Sequence, residues 1–150
     1  MERTKTSGKV TFQDKSIYIG ELENDIPNGY GVWTHPNGEE YKGQWADGKE
    51  NGLGIYSYPD GGQFSGNFVD GLREGSGIWS HPDGSKYQGN WSIGKFHGKG
   101  KFIWTDQKNM TVIGGMEFKK ELEKLIILME ENTQGNIKTV KKMDLVSGPI

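Results

Sequence analysis

The sequence predicts an all-β repeat array: an elongated, single-layer antiparallel sheet of short hairpins with a capping helix at its C-terminal end. Three observations predict it. A 23-residue pattern recurs four times without a gap. Inside each copy, glycine and aromatic residues alternate with polar ones at period two. The chain of 150 residues holds 24 glycines with five Trp, six Tyr and six Phe, yet is only 32% hydrophobic, too little for a thick aliphatic core.

The repeats come first, because they set the register of everything else. Tyr18, Tyr41, Phe64 and Tyr87 stand at position 1. Gly20, Gly43, Gly66 and Gly89 hold position 3, and Leu22, Trp45, Phe68 and Trp91 hold position 5. Gly29, Gly52, Gly75 and Gly98 follow at position 12, with Gly31, Gly54, Gly77 and Gly100 at position 14. Trp33, Tyr56, Trp79 and Phe102 occupy position 16. The full repeats are therefore 18–40, 41–63, 64–86 and 87–109. Half a copy precedes them, with Gly8 on position 14, and a degraded start follows at Met110–Gly115. We set the array at residues 7–113, roughly nine to ten strands, about 45 Å long at ~4.8 Å per strand.

Pro36-Asn37-Gly38, Pro59-Asp60-Gly61 and Pro82-Asp83-Gly84 are turns: proline presets φ, Asn or Asp caps locally, and glycine takes the positive φ. The fourth copy decays to Thr105-Asp106-Gln107. The flanking segments read as strands, so each repeat is a hairpin. Glycine beside aromatic on one face leaves room for a ring to lie flat across the backbone. The glycines at positions 12 and 14 read as a tight bend returning the chain between hairpins.

The periodicity stops at Gly115. Residues 116–131 read as an amphipathic helix, with Phe118, Leu122, Leu125, Ile126 and Met129 on one stripe. The expectation is a cap over the last hairpin, whose Phe102 and Trp104 would otherwise be exposed. Dimerisation, or contact with a partner, is the alternative use of the same stripe. Residues 132–150 form a tail.

Composition narrows the chemistry. No run of ~18–20 apolar residues occurs. Cysteine is absent, and with it disulfides and thiolate chemistry. A net charge of −2 argues against a nucleic-acid partner. The polar N-terminal segment shows no secretory signal, which favours a cytoplasmic setting. His35 and His81 share a repeat position two copies apart, about 19 Å at strand spacing, so no metal site is expected. His97 reads as a solvated loop residue, and Asp60 and Asp83 as turn residues. No nucleophile elbow or phosphate loop appears, so no enzyme activity and no cofactor are expected. Lys95, Lys99 and Lys101 form the one basic cluster of the array and are a possible anion contact.

The pattern Tyr-x-Gly-x-Trp, a Gly-Lys stretch, Gly-x-Gly and an Asp-Gly turn resembles the MORN repeat (membrane occupation and recognition nexus). Residues 41–63, YKGQWADGKENGLGIYSYPDGGQ, follow it nearly throughout. The resemblance covers about residues 8–109. The first copy departs, with Leu22 for the aromatic and Asp25 for a glycine. The resemblance implies a non-catalytic interaction module of the kind found in cytoskeletal and ciliary scaffolds. Tyr41, Trp45, Tyr56, Tyr58, Phe64, Trp79, Tyr87 and Trp91 are the candidates to line a groove for a partner helix or extended peptide, although most of them must first hold the repeats together. A homodimer is possible. The alternative is a membrane- or phosphoinositide-associated module, against which the net charge weighs.

Overall fold

The structure is a computed structural model that describes residues 3–103 and the backbone of 109–113. The helix expected over 116–131, the tail over 132–150 and the ring of Trp104 lie outside the described residues. Ten strands follow one another: β1 (Lys5–Thr11), β2 (Ile17–Glu23), β3 (Ile26–Thr34), β4 (Glu40–Ala46), β5 (Lys49–Ser57), β6 (Gln63–Val69), β7 (Leu72–Ser80), β8 (Lys86–Ser92), β9 (Lys95–Ile103) and β10 (Asn109–Ile113). Each pairs with the next, antiparallel, in one open sheet.

Two kinds of turn join them. The Pro-Asn/Asp-Gly segments close as expected. The Gly61 amide bonds the Tyr58 carbonyl at 3.0 Å, and the Asp60 carboxylate accepts from the Gly62 amide at 2.9 Å. Asp14 and Asp83 do the same for Ser16 and Ser85. At the opposite edge, two-residue turns carry positive φ at both positions, the geometry that matches the strand twist. Asp47-Gly48 and Asp70-Gly71 suit this turn; in the fourth repeat it is Ile93, at φ 51°, that precedes Gly94.

This edge corrects the sequence reading. The chain returns at positions 7 and 8, not at 12 and 14. The position-12 glycines lie inside the strands, opposite register shifts such as those at Gly20/Leu22 and Gly43/Trp45. There the strand bulges. The position-4 side chain spans the bulge: the Glu21 carboxylate accepts from the Tyr30 amide at 2.6 Å, and Gln44 from the Leu53 amide at 2.8 Å.

The core is a single file of rings on one face. Tyr18, Tyr41, Phe64 and Tyr87 are 0% exposed and lie flat over the glycine pairs. A Cβ added at Gly31, Gly54, Gly77 or Gly100 would come within 3.0 Å of the ring above it. Position-5 residues then interleave. Tyr18 meets Trp45 at 5.0 Å, Trp45 meets Tyr41 at 5.4 Å, and Tyr41 meets Phe68 at 5.0 Å. The file continues through Phe64 and Trp91 at 4.9 Å to Tyr87. Most contacts are edge-to-face, the arrangement ring quadrupoles prefer. Each repeat thus borrows its second ring from the next one.

The file ends in two substitutions. Leu22 stands at its first position-5 site. At the far end, Phe96 lies against Tyr87 at 3.8 Å and Trp91 at 4.8 Å and is 1% exposed. Position 5 of a following repeat would fall on Gly114, which has no ring to give. Phe102, expected to be covered by the helix, is 0% exposed and stacks with Trp79.

Candidate functional site

Strand alternation divides the expected site residues sharply. Six of the eight expected groove-lining rings (Tyr41, Trp45, Phe64, Trp79, Tyr87 and Trp91) are buried. Their edges are spent on one another and on glycine backbone, so they form the floor rather than a contact surface. Tyr56 and Tyr58 remain half-buried. Trp33, not among the expected residues, joins them: it lies 6.3 Å from Tyr56, which lies 5.0 Å from Tyr58. These rings sit at positions 16 and 18, in a second row beside the buried file.

Hydroxyls fix the floor. Tyr18, Tyr41 and Tyr87 each donate to the carbonyl three residues on, at 2.6, 3.0 and 3.3 Å. Those carbonyls belong to the bulged position 4. Burial first, and then the Glu21 carboxylate, pushes the Tyr18 hydroxyl up to about 12; burial alone does the same at Tyr87. Tyr41 is raised for the same first reason.

The middle of this face carries charge. The Tyr56 hydroxyl is pushed up to about 12, by burial first and then by the carboxylates of Glu39 and Glu50. Glu39 also accepts from the Asn37 side-chain amide at 2.8 Å. It occupies a position held by Ser16, Gly62 and Ser85 in the other copies. Arg73 reaches over three rings, 5.5 Å from the centre of Tyr58, 5.3 Å from Phe64 and 5.4 Å from Trp91. Burial lowers its pKa to about 10. Two shielded polar atoms of the face, the Trp45 indole nitrogen and the Tyr58 hydroxyl, have no hydrogen-bond partner among the described residues.

The histidines pin turns together. His35 lies 3.8 Å from Asp14; His81 lies 3.6 Å from Asp60 and 3.2 Å from Asp83. Both stack beside position-16 tryptophans, Trp33 and Trp79. His97 is exposed on β9 opposite Asn90. Lys95, Lys99 and Lys101 are exposed and share the face opposite the rings, since Gly100 and Phe96 face the core. The structure therefore separates the two expected contact sets onto opposite faces.

Sequence reading missed Trp33, Glu39, Glu50, Arg73 and Phe96. Trp33 was accessible from its register with Tyr56. The others occupy positions where the copies disagree: Pro27, Glu50, Arg73 and Phe96 share position 10. Variation within a repeat is the signal that would have found them.

No curated protein matches the chain. The MORN-repeat family model matches residues 18–40, 41–63, 64–86 and 87–108. These segments cover more than half of the chain, and their boundaries coincide with the hairpin units just described: the chain belongs to the family of MORN-repeat proteins.

Proposed function

We propose that the chain is a non-catalytic scaffold or adaptor that binds a protein segment along its ring-bearing face. MORN repeats are interaction modules, and this reading locates the interaction. The observation that carries it is the half-buried row Trp33, Tyr56 and Tyr58 on a floor of fully buried rings. Such a row offers large, rigid contact area at small entropic cost, because packing already fixes the floor. Cytoplasmic, cytoskeletal or ciliary settings, and a homodimer, are compatible with this role.

The membrane-associated alternative draws on a different face. Lys86, the last residue of the third repeat, lies with Lys95, Lys99 and Lys101 on the outer face of β8 and β9, four cations in all, at the lower end of what anionic lipid recognition uses. Two measurements separate the readings. Affinity capture with the intact chain and with its Tyr56→Ala/Tyr58→Ala variant should differ in the protein retained. Sedimentation with vesicles containing phosphatidylserine should leave the chain in the supernatant. Co-sedimentation abolished by Lys99→Gln/Lys101→Gln would replace the adaptor reading with the membrane one.

A further inference from the structure

The two faces of the sheet differ in charge as well as in rings. Every strand lysine among the described residues sits at an outer-face register: Lys42 pairs with Ile55, Lys86 with Ser80, and Lys101 with Gln88. On the ring-bearing face the charged side chains of the described residues are Glu39 and Glu50 at the centre, with Asp14, Asp60 and Asp83 along the turn edge, against Arg73. Glu39 and Glu50 flank Tyr56, the central ring of the half-buried row. An acidic surface interleaved with half-buried aromatic rings is complementary to cations twice over, through carboxylates and through ring quadrupoles.

Arg73 shows within the chain what such a surface holds. Its guanidinium lies over Tyr58, Phe64 and Trp91 at about equal distances. Three rings converging on one cation is the geometry of an aromatic cage. The neighbouring copy keeps two of the three rings without the arginine: Glu50 takes position 10, Tyr41 and Phe68 stand where Phe64 and Trp91 do, and His35 stands at the place of Tyr58, with Tyr56 beside Tyr41.

We propose that the ring-bearing face takes a partner segment carrying arginine or lysine side chains, with Glu39 and Glu50 as their charge partners and Trp33, Tyr56 and Tyr58 as their stacking surface. Arginine suits it better than lysine, because a planar guanidinium both stacks and bonds a carboxylate bidentately. This rests on the adaptor reading and adds the chemistry of the partner to it.

The test is fluorescence anisotropy with the full chain at about 50 mM salt, where charge pairs are weakly screened. The probe is a fluorescein-labelled dodecapeptide of alternating Arg and Ala; its counterpart carries Glu in place of Arg. The Arg peptide should bind and the Glu peptide should not. Glu39→Gln/Glu50→Gln should weaken the Arg peptide about tenfold or more, whereas Glu39→Asp/Glu50→Asp keeps the charge and most of the binding. Lys99→Gln/Lys101→Gln on the outer face should change nothing. Binding of the Glu peptide that is lost in Tyr56→Ala would overturn the charge assignment while leaving the groove in place. Arg-peptide binding that survives both Tyr56→Ala/Tyr58→Ala and the Gln pair would overturn the groove itself. Failure of both peptides to bind would overturn the cationic partner.

Discussion

The two faces of one sheet solve opposite problems. On the ring-bearing face, every position-1 ring is fully buried although the described residues form no second layer over it. On the outer face, Leu53 is 66% exposed and Ile19 59%. The strands are the same; only the parity of the residue differs. A single layer can therefore have a core, provided that glycine lets rings approach the backbone and that each repeat lends a ring to its neighbour. The large exposed hydrophobics of the described residues lie on the outer face or at its turn edge, so the side away from the core is less polar than in an ordinary amphipathic sheet.

The comparison breaks first at the end of the ring file. Phe96→Ala removes the ring that closes it over Tyr87 and should lower stability by about 3–5 kcal/mol, the usual loss for a buried phenylalanine. Urea denaturation reads it; a loss below about 1 kcal/mol would mean that another element closes the array. Next is the glycine seat. Gly77→Val would drive a side chain into Phe64 and should cost roughly 3 kcal/mol by overpacking. The same change at Gly75, where an added Cβ meets nothing within 4 Å, should act only through its φ of 70° and cost less.

Smaller effects sharpen the account. Tyr18 and Tyr87 hold their protons to about 12 in the folded chain against an ordinary 10.0, so their contribution is complete below pH 10 and is lost as pH rises toward 12. Melting temperature should therefore fall across that window, and less steeply in Tyr87→Phe. Ile93→Asn should raise stability by about 1 kcal/mol: a β-branched residue strains at positive φ, asparagine does not, and Ile93 is 68% exposed, so little burial is lost. A calorimetric melting temperature that fell instead would show Ile93 to be packed against something.

Much of this was legible in the sequence because some positions answer to one physical demand. A ring at position 1 and glycines at 3 and 14 have a single compatible arrangement, so Tyr41 over Gly54 follows from spacing alone. Pro59-Asp60-Gly61 is equally explicit. Position 12 was misread because a glycine marks a bend and a bulge alike, and only the partner strand's register distinguishes them. Burial of the expected groove rings was hidden for a related reason. Phe64 is covered by Trp91, a contact between repeats that no property of one repeat displays. Glu39 and Arg73 were illegible because they depart from the pattern that made the rest readable.

The central claim is that one face holds the fold and the other does not. Phe64→Ala and Ile55→Ala test it side by side, since Phe64 pairs with Tyr56 and Ile55 is its neighbour on the opposite face. Urea denaturation of the two variants should show a loss of about 3–5 kcal/mol for Phe64→Ala and a change within about 0.5 kcal/mol for Ile55→Ala. Comparable losses at the two sites would contradict the account, because they would mean that the outer face is packed as well.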